Sequence, residues 1–354
     1  MNRQVHARIA GELPCGPQVS PAMPVTKGTA SQFSIPGMSR VASICGLLPC
    51  GSVLTRIGTC GFISAVRPIL TRVLRRLGTA LTASYHLGNP VQVGWKRIVG
   101  KPSDLLTVVD RVSGVRCLCT LNSHHIFSDI WYSHAYDVPG VPIRAGDVVV
   151  DIGANQGFFT CYAAFKGARV FAFEPVPELC QRLRENVDRN GFTDRVTIQQ
   201  CAIGASPGFV NLFVSSYLGG AQSTIVPEFV HRAGVPVIQE ILVECKTLPH
   251  ILEEFSLQRV RLCKLDVEGA ELAILKTLSH ADLARIQSFA LEYHEEAYDL
   301  PSLLRLVLDW RTHHVSFIEE RPYIGNIMRL AASSALLTSQ SHQNGPNHVP
   351  CLRP

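Results

Sequence analysis

No two of the twelve cysteines form a C-x-x-C pair. Their scatter argues against a zinc site and fits a reducing compartment. Cys117 and Cys119, one residue apart in a strand-like run, share a face and cannot easily bridge each other. Cys161, Cys180, Cys201 and Cys263 fall inside apolar elements and read as small core residues. The apolar stretch Val41–Thr55 is broken by Pro49 and Gly51 and closed by Arg56. It is too short for a membrane span, which needs about 18 uncharged residues. Acids are nearly missing from the first hundred residues, where Glu12 stands alone, whereas the body from Gly146 to Glu320 leans acidic. The formal net charge of +5 therefore describes a leader segment. With no basic patch interleaved with aromatics, nucleic acid is not an expected partner.

The 354 residues suffice for one large or two modest domains with a sizeable core. Residues 1–100 read as a basic leader. Met1 to Gly37 is rich in Pro, Gly and Ser and reads as disordered. Phe62 to Leu81 sets apolar residues at helical spacing against Arg67, Arg72, Arg75 and Arg76, with Pro68 suited to a first turn. Several readings of this leader stay open: contact with an anionic membrane surface, packing on the downstream domain, an organellar transit peptide, or a true translation start at Met23 or Met38. A cytoplasmic location is expected, with an organellar or peripheral-membrane one if the leader is a targeting segment. Oligomeric state is not legible.

From Leu105 two strand-like pieces appear, Leu106–Val109 and Val115–Thr120, followed by an aromatic connector from His125 to Tyr136. Strands and helices then alternate, as in a parallel sheet covered on both faces. Strands are expected near 147–152, 169–174, 195–201, 262–267 and 287–293, and helices near 157–166, 177–190, 247–256, 270–279 and 301–312. A long excursion from Gly208 to Cys245 holds a hairpin at Phe209–Val214 and a Gly-rich loop at 217–220. Val315–Ile318 and Ile327–Leu330, joined across Gly325–Asn326, read as a closing antiparallel pair. Residues 332–354 read as a disordered tail, leaving 101–331 for the folded domain.

The most informative stretch is Asp151-Ile152-Gly153-Ala154-Asn155-Gln156-Gly157, directly after Val148-Val149-Val150. A buried strand ends in an acid, a glycine turn follows, and a helix begins near Phe158, as in the first unit of a nucleotide-binding sheet. Gly153 permits a tight turn, Gly157 lets the helix start approach a ligand, and Asn155 tolerates left-handed geometry. About twenty residues on, Glu174 ends the next apolar run, where a carboxylate can hold ribose hydroxyls. Two acids ending successive strands favour S-adenosylmethionine over NAD. The plainer alternatives are a ligand-free turn and a strand-end surface carboxylate.

Two further groups gather at the same sheet edge. Lys264-Leu265-Asp266-Val267-Glu268-Gly269-Ala270-Glu271 places three acids at one strand-to-helix junction, where they should face a cation, a ligand or a metal. Helix capping by Glu268 and Glu271 is the competing reading. In Leu291-Glu292-Tyr293-His294, Glu292 and His294 share one side of a strand end, and His294 is a candidate general base unless it merely faces solvent. The pairs His124-His125 and His313-His314 lie outside this edge.

DIGANQG at 151–157, AFEPVP at 172–177, the Asn186–Asn190 segment, CAIG at 201–204, KLDVEGAE at 264–271 and LEYH at 291–294 follow one another in an order and spacing that resembles the FkbM-type family of S-adenosylmethionine-dependent methyltransferases. The resemblance covers about Ser128 to Leu330. It implies a class I methyltransferase fold: a Rossmann-like α/β architecture with a mostly parallel sheet, helices on both faces and a C-terminal antiparallel hairpin. It also implies O-methylation of a hydroxyl on a sugar, glycan or secondary metabolite. Asp151, Gly153, Asn155, Gly157 and Glu174 would be cofactor contacts, with Cys201 and Ala202 beside them. Asp266, Glu268 and His294 are the candidates for the proton-accepting base. No metal ligands are assigned. The alternatives are Mg²⁺ held by Asp266 and Glu292, a nicotinamide-dependent dehydrogenase, and an inactive cofactor-binding module docking through Arg67 to Arg76.

Overall fold

The computed structural model describes residues 87–217, 220–321 and 325–332. The expected helix at 62–81, the apolar run at 41–55 and nearly all of the expected tail lie outside these residues. Ala332, assigned to that tail, is instead a strand residue paired with His313. Packed chain is present from Leu87, inside the stretch read as leader. Leu87 and Val93 are buried, the latter on helix α1 (Pro90–Val99). Asn89 ties this entry to strand β1 (Leu105–Val109), accepting from the Val109 N–H at 3.1 Å and donating to the Thr107 carbonyl. β1 pairs antiparallel with β2 (Arg116–Thr120). Among the described residues the outer edge of β2 meets no further strand; side-chain amides of a helix described below cover it.

The aromatic connector from His125 to Tyr136 is partly helical. Its first part is helix α2 (His124–Trp131), on which Phe127 and Trp131, one turn apart, stack at 5.3 Å. The central layer then forms from β3 (Val148–Ile152), β4 (Arg169–Phe173), β5 (Val196–Gln199), β9 (Leu262–Leu265) and β10 (Ser288–Tyr293), all parallel. They stand in the order β10-β9-β3-β4-β5. β12 (Gly325–Ala332) and β11 (His313–Arg321) add antiparallel beyond β10. Gly325 and Asn326 are not the turn of this hairpin; they pair with Arg321 and Glu320 inside the ladder.

Period-2 alternation explains why the strands are apolar throughout. Val149, Val170 and Ala172 feed one core, shared with helices α3 (Phe158–Phe165) and α4 (Pro177–Arg189). Val150, Ile152, Phe171 and Phe173 feed the other. That second core is shared with α6 (Leu248–Glu254), α7 (Glu271–Leu275), α8 (His280–Arg285) and α9 (Leu300–Trp310). Helices therefore cover both faces. The helix expected over 270–279 is shorter, ending at Leu275, and Ser279 and Asp282 form a capping box that starts the separate helix α8 at His280.

Within the excursion after β6 (Ala202–Ile203), Phe209–Val214 is not a hairpin. It lies in a single strand, β7 (Gly208–Ser215), which pairs antiparallel with β8 (Val237–Lys246) across the intervening helix α5 (Pro227–Ala233). β6, β8 and β7 make a separate three-stranded sheet.

α4 is fastened to β2 by two asparagines one turn apart. Asn186 accepts from Leu118 N and donates to Leu118 O; Asn190 accepts from Arg116 N and donates to Arg116 O. The seven described cysteines are all reduced and buried. Among the described residues no helix is long and apolar enough to cross a membrane.

Candidate active site

The carboxyl ends of β3, β4, β9 and β10 converge on two joined cavities. The narrower is lined by Gly153, Asn155, Glu174, Leu179, Cys201 and Ala202, among others. The larger, of about 380 Å³, has a wall of Ile126, Ile130, Phe158, Phe159 and Phe229 facing Lys264, Asp266, Glu268, Glu292 and His294. Asn155, Ala221, Asp266 and Glu268 belong to both and mark where they meet.

The glycine turn is shaped by close backbone approach. Gly153 has φ +74°, and a Cβ there would stand 1.7 Å from the Asp266 carbonyl oxygen, so no side chain fits. Asn155 follows at φ +51°. Its N–H donates to Glu174 Oε2 at 2.7 Å, while Val176 N donates to Oε1 at 2.9 Å. Each carboxylate oxygen of Glu174 thus keeps a lone pair for a ligand hydroxyl. Burial pushes the Glu174 pKa up to about 7, against the pull of those two N–H groups.

Two of the expected cofactor contacts, Asp151 and Gly157, stand outside the lining of both cavities. Asp151 is fully buried and lines neither cavity. Alternation puts it on the face of Val149, where it accepts from Thr160 Oγ1 at 2.6 Å and faces Lys264 Nζ at 3.4 Å. Asp151 and Lys264 are register partners on adjacent parallel strands, which is why they meet. Gly157 also lines neither cavity. Its φ is +86°, and a Cβ would lie 2.5 Å from Leu183 Cδ1, so this glycine serves the packing of α4 against the start of α3. Gly153, Asn155, Glu174, Cys201 and Ala202 do line the narrower cleft.

Lys264 is the hub beneath the turn. It donates to the Gly153 carbonyl at 2.6 Å and lies 3.3 Å from Asp266 Oδ2. Burial opposes its charge, but Asp266 and Asp151 outweigh that and lift its pKa to about 12. Tyr136 donates to Asp266 Oδ2 at 3.1 Å or to Glu292 Oε2 at 3.3 Å, bridging two strand ends.

His294 lies between three carboxylates: Glu271 Oε1 at 3.0 Å from Nδ1, and Glu268 Oε2 at 3.2 Å and Glu292 Oε1 at 3.7 Å from Nε2. Burial disfavours its charge, yet Glu271 and Glu268 prevail and raise its pKa well above the ordinary imidazole value. A raised pKa leaves less of the neutral imidazole that the general-base role expected of His294 needs. Burial raises Glu268 to about 7, with His294 opposing, and drives Glu292 well above the usual carboxylate range, assisted by Asp266. Glu268 also holds a left-handed backbone, φ +52°, with its carbonyl accepting from Thr224 Oγ1.

Sequence reasoning missed Tyr136, Phe229 and Tyr298 here, because they arrive from elements with no periodic signal. It also set His125 aside, although His125 lines the larger cavity. Burial, then His124 and Arg97, lowers its pKa to about 4, so it is neutral. Lys264 did carry a signal: a lysine inside an otherwise apolar parallel strand needs buried partners.

The sequence profile of the methyltransferase FkbM domain matches residues 151–322. Methyltransferase sdnD of Sordaria araneosa is 30% identical over 229 residues, spanning 58% of this chain and 87% of that protein. The chain belongs to the FkbM methyltransferase family. Other relatives include 31-O-demethyl-FK506 methyltransferase FkbM of Streptomyces tacrolimicus, 26% identical over 55% of this chain and 83% of that one. Hexuronic acid methyltransferase AglP of Haloferax volcanii is 31% identical over 42% and 56%. This FkbM-family chain has the class I, Rossmann-like sheet with its antiparallel terminal hairpin, and its cofactor is S-adenosylmethionine. The residues fit that cofactor. Glu174 offers two acceptors where a ribose edge would lie, and the apolar Leu179, Ala202 and Ile203 offer a wall for a base.

Proposed function

We propose that the enzyme methylates an alcohol oxygen of a hydroxylated small molecule or glycan. The junction of the two cavities at Asn155, Ala221, Asp266 and Glu268 carries this reading, because it gives a nucleoside cleft a passage into a separate chamber. The relatives point to comparable acceptors, 31-O-demethyl-FK506 for FkbM and a hexuronic acid for AglP.

Glu174 would hold the ribose hydroxyls, and Gly153, Asn155, Cys201 and Ala202 the rest of the nucleoside. S-adenosylmethionine, when bound, supplies an electrophilic methyl group on sulfur. The remaining task of the protein is alignment and proton removal. Glu268, at the junction and with its pKa near neutrality, is suited to take the hydroxyl proton, and Asp266 stands beside it. His294, held by Glu271, would position Glu268. The aromatic and aliphatic wall excludes water from the acceptor.

The test is incubation of the full chain with methyl-labelled cofactor and a panel of hydroxylated metabolites and glycans, read by mass spectrometry. Label on an alcohol oxygen, with turnover reduced at least a hundredfold in Glu268→Gln, is expected. Label only on nitrogen or carbon would refute the assignment.

A further inference from the structure

We infer that Asp266, Glu268 and His294 form a divalent-cation site at the floor of the larger cavity. Its use in catalysis rests on the methyl-transfer reading above; its existence does not.

One ligand atom from each of the three residues lies within 4.8 Å of the other two. Donors about 2.1 Å from a common ion stand roughly 3 Å to 4 Å apart, so closing the triad takes side-chain adjustments of about an ångström or less. Glu268 Oε2 and His294 Nε2 already stand 3.2 Å apart. The three residues come from two neighbouring strand ends, so the sheet, not a loop alone, fixes their spacing.

The orientation of the imidazole is the second and independent observation. Glu271 is fully buried. Its two oxygens collect the N–H groups of Val267 and Gly269, the Tyr298 hydroxyl at 3.0 Å and His294 Nδ1 at 3.0 Å. A buried carboxylate holding one ring nitrogen is the outer-shell arrangement that fixes a metal-bound histidine. It leaves Nε2 as the atom directed toward Glu268 and Glu292. Binding of an ion displaces the Nε2 proton to solvent.

The oxygen donors are available on the side that matters. Tyr136 and Lys264 both engage Oδ2 of Asp266, and Oδ1 accepts no hydrogen bond among the described residues. Lys264 Nζ is also engaged by the Gly153 carbonyl at 2.6 Å and by Asp151 at 3.4 Å. Glu292 Oε1, 3.7 Å from Nε2, is placed as a fourth donor. All four residues line the cavity, which has room for water and an acceptor oxygen to complete the coordination. Two or three carboxylates with one imidazole suit Mn²⁺ better than Mg²⁺, which prefers an all-oxygen shell, and no thiolate is present to favour a structural zinc.

Mn²⁺ titration of the chelator-treated full chain, followed by calorimetry and electron paramagnetic resonance, tests the site. S-adenosylhomocysteine binding is measured on each sample. One Mn²⁺ per chain is expected, with affinity reduced at least tenfold in His294→Ala. Glu271→Gln should weaken Mn²⁺ by about 10- to 100-fold without touching the ion. Asp266→Asn, at a partly exposed position, serves should the Glu271 variant fail to fold. No stoichiometric Mn²⁺ binding up to about 1 mM in wild type that still binds S-adenosylhomocysteine would overturn the inference. So would Mn²⁺ affinity unchanged by His294→Ala. Loss of S-adenosylhomocysteine binding in wild type, with Mn²⁺ still bound, would instead refute the methyltransferase reading alone.

Discussion

Replacing Glu174 with glutamine should remove both the strength and the pH dependence of nucleoside binding. In the wild type each carboxylate oxygen already accepts one backbone N–H, and Glu174 lines the cleft. Hydrogen bonds to a charged group contribute about 1.5–3 kcal/mol each. Loss of one such bond in Glu174→Gln weakens S-adenosylhomocysteine by about 10- to 150-fold at pH 8. With a pKa of about 7 in the free protein, Glu174 is mostly ionised at pH 8 and mostly protonated at pH 6. Ribose hydroxyls bind the ionised form, so wild-type affinity should rise about tenfold from pH 6 to pH 8, with proton uptake by buffer. The folding contribution runs the other way. A carboxyl whose folded pKa is raised contributes stability that is fully present below its unfolded value, near 4.3, and is lost as pH climbs through about 7. Removing the group should therefore flatten both trends. Isothermal titration at pH 6, 7 and 8, in two buffers of different ionisation enthalpy, measures the binding slope. Parallel pH profiles for wild type and Glu174→Gln would refute the reasoning, and the slope should survive in Glu268→Gln.

Gly157→Ala should lower stability by about 1–3 kcal/mol in urea while leaving S-adenosylhomocysteine affinity unchanged, because its Cβ meets Leu183 rather than ligand. A loss of affinity with stability intact would return Gly157 to the cofactor site. Lys264→Met leaves Asp151 and Asp266 without their buried cation and should cost about 3–5 kcal/mol, read from the denaturant midpoint; a smaller loss than 1 kcal/mol would show the network to be dispensable. Thiol reagent applied to the native chain, followed by peptide mapping, should label none of the seven described cysteines, and prompt labelling of Cys201 would contradict its burial and its raised pKa of about 12.

The sheet was legible because its strands are apolar on both faces and end at acids or turn residues, as Asp151 and Glu174 do. Helix α4 ends at Arg189, and Gly191 takes φ +66°, as an Asn-Gly stop implies. Alternation puts Asp151 on the same face as Val149, toward the core, and it is fully buried there. The partner that makes this tolerable, Lys264, lies more than a hundred residues on. Phe209–Val214 lacks an internal turn dipeptide, and its mate begins only at Val237. The environment of His294 was beyond reach for a related reason. Glu271, Glu268 and Tyr298 surround it through tertiary placement, and the sign of its pKa shift depends on all of them together.

The amides of Asn186 and Asn190 occupy the outward N–H and C=O groups of residues 116 and 118. A hairpin margin left open would invite a second copy of the chain to extend it. Here a helix imitates the missing neighbour with two side chains, so resistance to self-association at this border depends on a pair of neutral residues and owes nothing to surface charge.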